Sequence, residues 1–81
     1  MTEAQILEHL KTILVENFEI DPARIAPAAN LFEDLDLDSI DAVDLAIKLQ
    51  ELTSKRIKPQ EFKNIRTVGD VVATVHQLLA T

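Results

Sequence analysis

Ser39 stands in the run DLDLDSIDAVDL, from Asp34 to Leu45, with Asp34, Asp36, Asp38, Asp41 and Asp44 around it and no basic residue. A hydroxyl among carboxylates admits three kinds of chemistry. It can be the nucleophile of an enzyme, one ligand of a cation site, or the acceptor of a group that another protein adds. A nucleophile needs a base and a group that orients the base. The two histidines, His9 and His76, lie far from Ser39 in sequence and fall on outer helices. No catalytic residue is assigned, and the chain is not expected to be an enzyme. For a cation, Asp34, Asp36 and Asp38 occupy the first three ligand positions of a calcium loop. The pattern then fails, because Ser39 stands where the loop needs glycine and Leu45 where it needs glutamate. No metal ligand is assigned. A site for another protein's chemistry remains.

The charge pattern supports that third reading. Six acids and no base lie between Glu33 and Asp44, and the other eight acids balance the eight Lys and Arg. The whole formal charge of -6 therefore belongs to this segment. It argues against nucleic acid or an anionic membrane as partner. A solvated face would account for the acids alone. It would not account for Leu35, Leu37, Ile40 and Val43, which are interleaved with them.

The elements that position Ser39 read as helices. Thr2 and Gln5 form a capping-box pattern, and Ile6, Leu7, Leu10, Ile13, Leu14 and Phe18 follow at helical spacing, which predicts a helix over about Glu3 to Asn17. Asp21-Pro22 and Pro27 break the chain, and a long loop runs to about Asp38, with Leu31, Phe32 and Leu35 expected to pin it to the core. The next helix starts at the serine and runs to about Thr53. Asp38 is its N-cap, Asp41 completes a capping box, and Ser39 takes the first helical position. Its polar strip is Asp41, Asp44, Lys48, Glu51 and Lys55. Its apolar residues make two stripes, where a surface helix needs one. Ala42, Leu45, Ala46, Leu49 and Leu52 are expected to face the core. Ile40, Val43 and Ile47 require further packing or a site. Pro59 suits the first turn of a short helix reaching about Asn64. Thr67 and Asp70 cap a last helix that buries Val68, Val71, Val72, Val75, Leu78 and Leu79. The expected fold is all-α, a small bundle with three long helices and one short, in a single domain over 1–81. The apolar runs are too short to span a membrane, and the N-terminus lacks the pattern of a secretory signal, so the cytoplasm is the expected compartment.

On these residues the chain resembles the acyl carrier proteins. The stretch EDLDLDSIDAVDLAIKL, Glu33 to Leu49, is similar to their signature of Asp-Ser-Leu or Asp-Ser-Ile followed by an acidic and apolar helix, and the likeness extends over the length and helix order of the chain. The resemblance implies that Ser39 bears 4'-phosphopantetheine, transferred from coenzyme A by a separate magnesium-dependent phosphopantetheinyl transferase. The arm's thiol would then hold acyl groups as thioesters, so the absence of cysteine is no obstacle. It implies that Asp38, Asp41, Asp44 and Glu51 belong to a partner-recognition helix. Ile40, Val43 and Ile47 would lie beside the acyl chain or a docked enzyme. The implied partners are the transferase and synthesis enzymes such as a ketosynthase and an acyltransferase, visited by a monomer. Two alternatives stand beside this one: a peptidyl carrier, and an unmodified helical adaptor for a basic protein. The sequence also departs from housekeeping members. Asp36 and Leu37 replace a usual glycine and small residue, Gln50 replaces an acid, and Ser54 to Arg66 is basic. The stretch KLQELTSKRIKPQEFKNIRTVGDVV is closer to dedicated carriers of aryl polyene or similar polyketide-like pathways.

Overall fold

Helix α1, Glu3–Phe18, buries Ile6, Leu10 and Leu14 completely, a stripe with a four-residue step that keeps one face inward. The computed structural model describes residues 1–57, 61–62 and 64–80. The expected capping box opens α1: Thr2 Oγ1 accepts from the Gln5 N–H at 3.2 Å, and the Thr2 N–H donates to Gln5 Oε1 at 2.9 Å. The helix stops at Glu19, whose φ of 55° is left-handed, and the Ile20 N–H reaches back to the Leu14 carbonyl at 3.3 Å. A single 3-10 turn, Pro22–Arg24, follows with Asp21 as its cap.

The loop from Ile25 to Asp38 is irregular in backbone but apolar beneath. Ile25, Ala29, Leu31, Leu35 and Leu37 are buried. Leu31 and Leu35 pin the loop as expected, whereas Phe32 does not. Its side chain is 41% exposed, because the turn that buries Leu31 rotates the next residue outward. The loop is also tied by its backbone to the segment entering the last helix. Asn30 and Thr67 form an isolated antiparallel bridge, with the Leu31 N–H on the Arg66 carbonyl at 2.9 Å and the Val68 N–H on the Ala29 carbonyl at 3.0 Å. The Gly69 N–H meets the Pro27 carbonyl at 2.8 Å, and a Cβ on Gly69 would stand 3.0 Å from that oxygen. The only glycine of the chain is spent on this close approach.

Helix α2, Ser39–Thr53, turns Leu45 and Leu49 fully inward with Ala42, and ends at Ser54, which has a φ of 56°. Helix α3, Val68–Ala80, buries Val68, Val71, Val72 and Val75; Leu78 and Leu79 are only partly buried near its end. Asp70 accepts from the Arg66 and Thr67 N–H groups at 3.1 Å each, and Thr67 Oγ1 accepts from the Asp70 N–H, which completes the expected cap. Helix α1 packs on both α2 and α3, and these two also touch.

The fold is all-α, and its described part contains three helices rather than four. Of the expected short helix, Pro59 lies outside the described residues, so no start is assigned. Glu61 and Phe62 are helical, and the Ile65 N–H bonds the Phe62 carbonyl at 3.1 Å, so a turn does close before Ile65 enters the core.

Candidate functional site

The approach to Ser39 explains the alternation of leucine and aspartate. Leu35 and Leu37 are buried, and Asp34, Asp36 and Asp38 between and beside them face solvent. The chain achieves this by placing Asp36 in the left-handed region at φ 56°, a conformation that aspartate tolerates better than most residues. That is the position at which the resemblance expects glycine. The Leu37 N–H then bonds the Leu31 carbonyl at 3.0 Å, which holds the last residues before the helix.

Asp38 is extended and caps α2. Its Oδ1 accepts from the Asp41 N–H at 2.9 Å, and Asp41 Oδ2 accepts from the Asp38 N–H at 3.3 Å. Both acids that flank Ser39 are thus engaged in starting the helix. Ser39 itself is exposed, and its hydroxyl has no hydrogen-bond partner among the described residues. The hydroxyl is offered from a fixed backbone to whatever approaches. An anion there would gain roughly 0.3–1 kcal/mol from the helix N-terminus, and like-charge repulsion from Asp38 and Asp41 opposes a gain of that size. An anionic group at this position would be neither strongly held nor strongly repelled.

Ile40, Val43 and Ile47 are 79%, 61% and 48% exposed. Burying each would have been worth roughly 1.5–3 kcal/mol, so the fold forgoes a large gain along this stripe. Asp44 and Glu51 are exposed beside it, and Asp41 is half-buried. Two grooves border the stripe, and Ser39 lines both. One, about 540 Å³, is shallow and is formed with Ile40, Asp41 and Asp44. The other, about 360 Å³, runs along Ala42 and Ala46 to Gln50, and its far wall is Phe32, Ile57 and Phe62. Met1 apart, every large apolar side chain found exposed among the described residues borders one of these grooves. A wider hollow of about 600 Å³ at the end of α1 is lined by Glu16, Glu19, Asp21 and Asp41 among others, but not by Ser39.

The structure therefore brings Ser39, Asp38, Ile40, Asp41, Val43, Asp44 and Ile47 to one end and one side of α2, with Glu51 further along the same helix. It does not bring Asp34, Asp36 and Asp38 together as a cation site; among the described residues no group of three or more potential ligands could hold a metal ion. His9 and His76 are both exposed. Sequence reasoning missed Phe32 and Phe62 as groove walls. Gln50 lies in the same groove as these two rings.

A small helical bundle that presents one unengaged serine at a capped helix start, with an apolar and acidic face beside it, has the architecture of a carrier domain. The comparisons agree. The family described as "Phosphopantetheine attachment site" matches residues 8–75. The chain is 69% identical over 80 residues to "Acyl carrier protein 2" of Ralstonia nicotianae, covering 99% of each. It is 34% identical over 80 residues to an acyl carrier protein of Thermosynechococcus vestitus, again covering 99% of each. The crystal structure of an acyl carrier protein from Thermotoga maritima superposes with a TM-score of 0.85 at 26% identity, over 96% of this chain and 91% of that one. The chain belongs to the acyl carrier protein family. It is a carrier and not a catalyst, and its cofactor is covalently attached 4'-phosphopantetheine. The arm supplies the thiol that a chain without cysteine lacks, and acyl groups are held on it as thioesters. As a member of this family it works with a transferase and with synthesis enzymes.

Proposed function

We propose that Ser39 is the attachment point of the arm and that the face of α2 around it is where partner enzymes dock. The observation that carries this reading is the unengaged Ser39 hydroxyl at the capped start of α2, bordered by the exposed Ile40, Val43 and Ile47. In loading, Ser39 Oγ attacks the phosphorus next to the pantetheine of coenzyme A. The pyrophosphate P–O bond breaks, adenosine bisphosphate leaves, and the serine proton passes to a base of the transferase. The domain's own task is to hold Oγ at a fixed place and keep it accessible, which the Asp38–Asp41 box does. Asp38, Asp41, Asp44 and Glu51 attract basic enzyme surfaces, and Ile40, Val43 and Ile47 give those enzymes an apolar patch to cover. Long-range attraction raises the encounter rate more than the affinity, which suits a carrier that must be released after each visit. On this reading the protein acts as one monomeric carrier unit in the cytoplasm. It is loaded by a phosphopantetheinyl transferase and presents intermediates to a ketosynthase, an acyltransferase and related enzymes of fatty-acid or polyketide-type synthesis.

The test is intact mass after incubation with coenzyme A, magnesium and a promiscuous phosphopantetheinyl transferase. One phosphopantetheine is expected on the parent and none on a folded Ser39→Ala variant. Modification at Ser54, or equal modification of Ser39→Ala, would remove Ser39 from the role.

A further inference from the structure

The segment from Ser54 to Arg66 holds five of the chain's eight Lys and Arg and one acid, Glu61, a sign opposite to that of the run around Ser39. Three of these bases, Lys55, Arg56 and Arg66, are among the described residues, and all three are exposed. Their backbone is held on both sides. Ser54 ends α2 at φ 56°, and the buried Thr53 Oγ1 accepts from the Lys55 N–H at 3.1 Å and donates to the Leu49 carbonyl at 2.9 Å. Ile57 then enters the core. Arg66 follows the buried Ile65. Its N–H donates to Asp70 Oδ2 at 3.1 Å, and its carbonyl accepts from the Leu31 N–H at 2.9 Å. The segment thus leaves the far end of α2 and ends against the loop that leads into α2. Between its ends Ile57 and Phe62 border a groove with Ser39, so a protein that reaches Ser39 meets this segment too.

Two plain causes for these bases fall short. The dipole of α2 favours cations after its last turn, which suits Lys55 and Arg56. It does not extend to Arg66, which stands before Thr67 at the start of α3, where a helix disfavours a cation. The Asp70 carboxylate, which the Arg66 charge reaches, offsets that penalty without covering the exposed side chain. Lys55 and Arg56 do not neutralise the acids at Ser39 either. Helix α2 has 15 residues and is about 22 Å long, whereas exposed charges are screened over about 8 Å near physiological salt. We propose that this basic strip is a second contact area for enzymes that visit Ser39, and that it fits an acidic patch on a folded protein. The proposal extends the docking face read at Ser39. A nucleic acid or an anionic membrane presents one sign throughout and would be repelled by the acids between Glu33 and Asp44. A folded protein can set acids against Lys55, Arg56 and Arg66 and bases against Asp41 and Asp44 at once. An enzyme whose docking surface is basic throughout meets like charge at the strip. The strip therefore selects among partners that the acidic face alone would admit.

The experiment follows backbone amides by NMR in the full chain, with octalysine and octaglutamate peptides standing in for the two kinds of partner surface. At low salt octalysine is expected to shift the amides of Asp41, Asp44 and Glu51, and octaglutamate those of Lys55, Arg56 and Arg66. Each peptide is expected to bind with the other already present, and both sets of shifts to shrink as salt rises. Arg56→Gln combined with Arg66→Gln is expected to lose more than half of the octaglutamate shifts and to keep those from octalysine. Lys55→Gln combined with Arg56→Gln serves if the first pair does not fold, which the core amides report. No octaglutamate shift at the strip in the parent, or full shifts in both double variants, would overturn the proposal. Shifts as large at Arg24, an exposed base outside the strip, would mean undirected charge attraction and overturn it too. Tighter binding of an octathymidylate, or sedimentation of the protein with phosphatidylserine vesicles, would assign the strip to a nucleic acid or a membrane instead. Strip shifts that grow with protein concentration in the absence of peptide would assign it to a second copy, again against the proposal. Loss of the octalysine shifts alone would remove the acidic docking face and leave the strip standing, so the two readings fail separately.

Discussion

At the scale of single residues, the two stripes of α2 make opposite demands on stability. Leu49 is fully buried and Val43 is 61% exposed, only six positions away on the same helix. Leu49→Ala is expected to cost about 2–5 kcal/mol, the loss of a core leucine together with the cavity it leaves. Val43→Ser is expected to cost less than about 1 kcal/mol, since little area is returned to water. Urea melts check the pair, and equal losses would make the outer stripe part of the core. Asp36 offers a second case. Its φ of 56° strains an L-residue, and it adds a charge to an already acidic run. Asp36→Gly relieves both and loses some unfolded-state restriction, so a gain of up to about 1 kcal/mol is expected. Asp36→Val, with a branched side chain in the same conformation, is expected to lose about 1–2 kcal/mol in the same melts. A glycine at this place would thus have a backbone reason, and aspartate is a tolerated substitute.

At the scale of elements, α2 is both a scaffold and a charged surface. Its start is determined within four residues by Asp38 and Asp41, so the choice of Ser39 as the first helical residue does not depend on distant packing. Its outer face carries Asp44 and Glu51 with no base before Lys48. Asp44→Lys is expected to slow transferase loading at low salt, with the deficit shrinking as ionic strength rises, because exposed charges are screened beyond roughly 8 Å near physiological salt. Initial loading rates over a salt series measure this, and a deficit independent of salt would point to lost contact instead of lost steering. Asp44 is the better choice than Asp41, whose carboxylate also accepts the Asp38 N–H. A change at Asp41 would disturb the helix start and the surface charge together.

At the scale of the whole molecule, the loop before α2 and the segment before α3 are joined by the Asn30–Thr67 bridge and by the approach of Gly69 to Pro27. Asp70 holds the second of these segments in place. Backbone N–H groups of Arg66 and then Thr67 hydrogen-bond its carboxylate and hold its pKa below the ordinary value of 3.8. A carboxyl whose pKa is lower folded than unfolded adds stability that is complete above the unfolded value and fades as pH falls through the folded one. Stability from Asp70 is therefore present at neutral pH and is expected to fade from about pH 4 downward. Asp70→Asn is expected to be less stable than the parent at pH 7 and to approach it at pH 3. Thermal melts across that range decide this, and a constant difference would assign the loss to shape alone.

The sequence by itself determined whatever is governed by neighbours a few residues apart. The caps at Thr2, Asp38 and Thr67 are closed by side chains three positions on, and all three helix starts could be read from residue type and spacing. The division of α2 into two stripes is likewise a matter of helical period. Only the tertiary structure decided that Phe32 faces out while Leu31 beside it faces in, because that depends on a turn held by Asn30 and tied to Arg66, far along the chain. It also decided that Phe32, Gln50, Ile57 and Phe62 border one groove with Ser39. No periodicity connects those four residues. They meet because packing α1 against α2 and α3 brings together the segments that carry them, and burial of the shared core leaves this side of α2 uncovered.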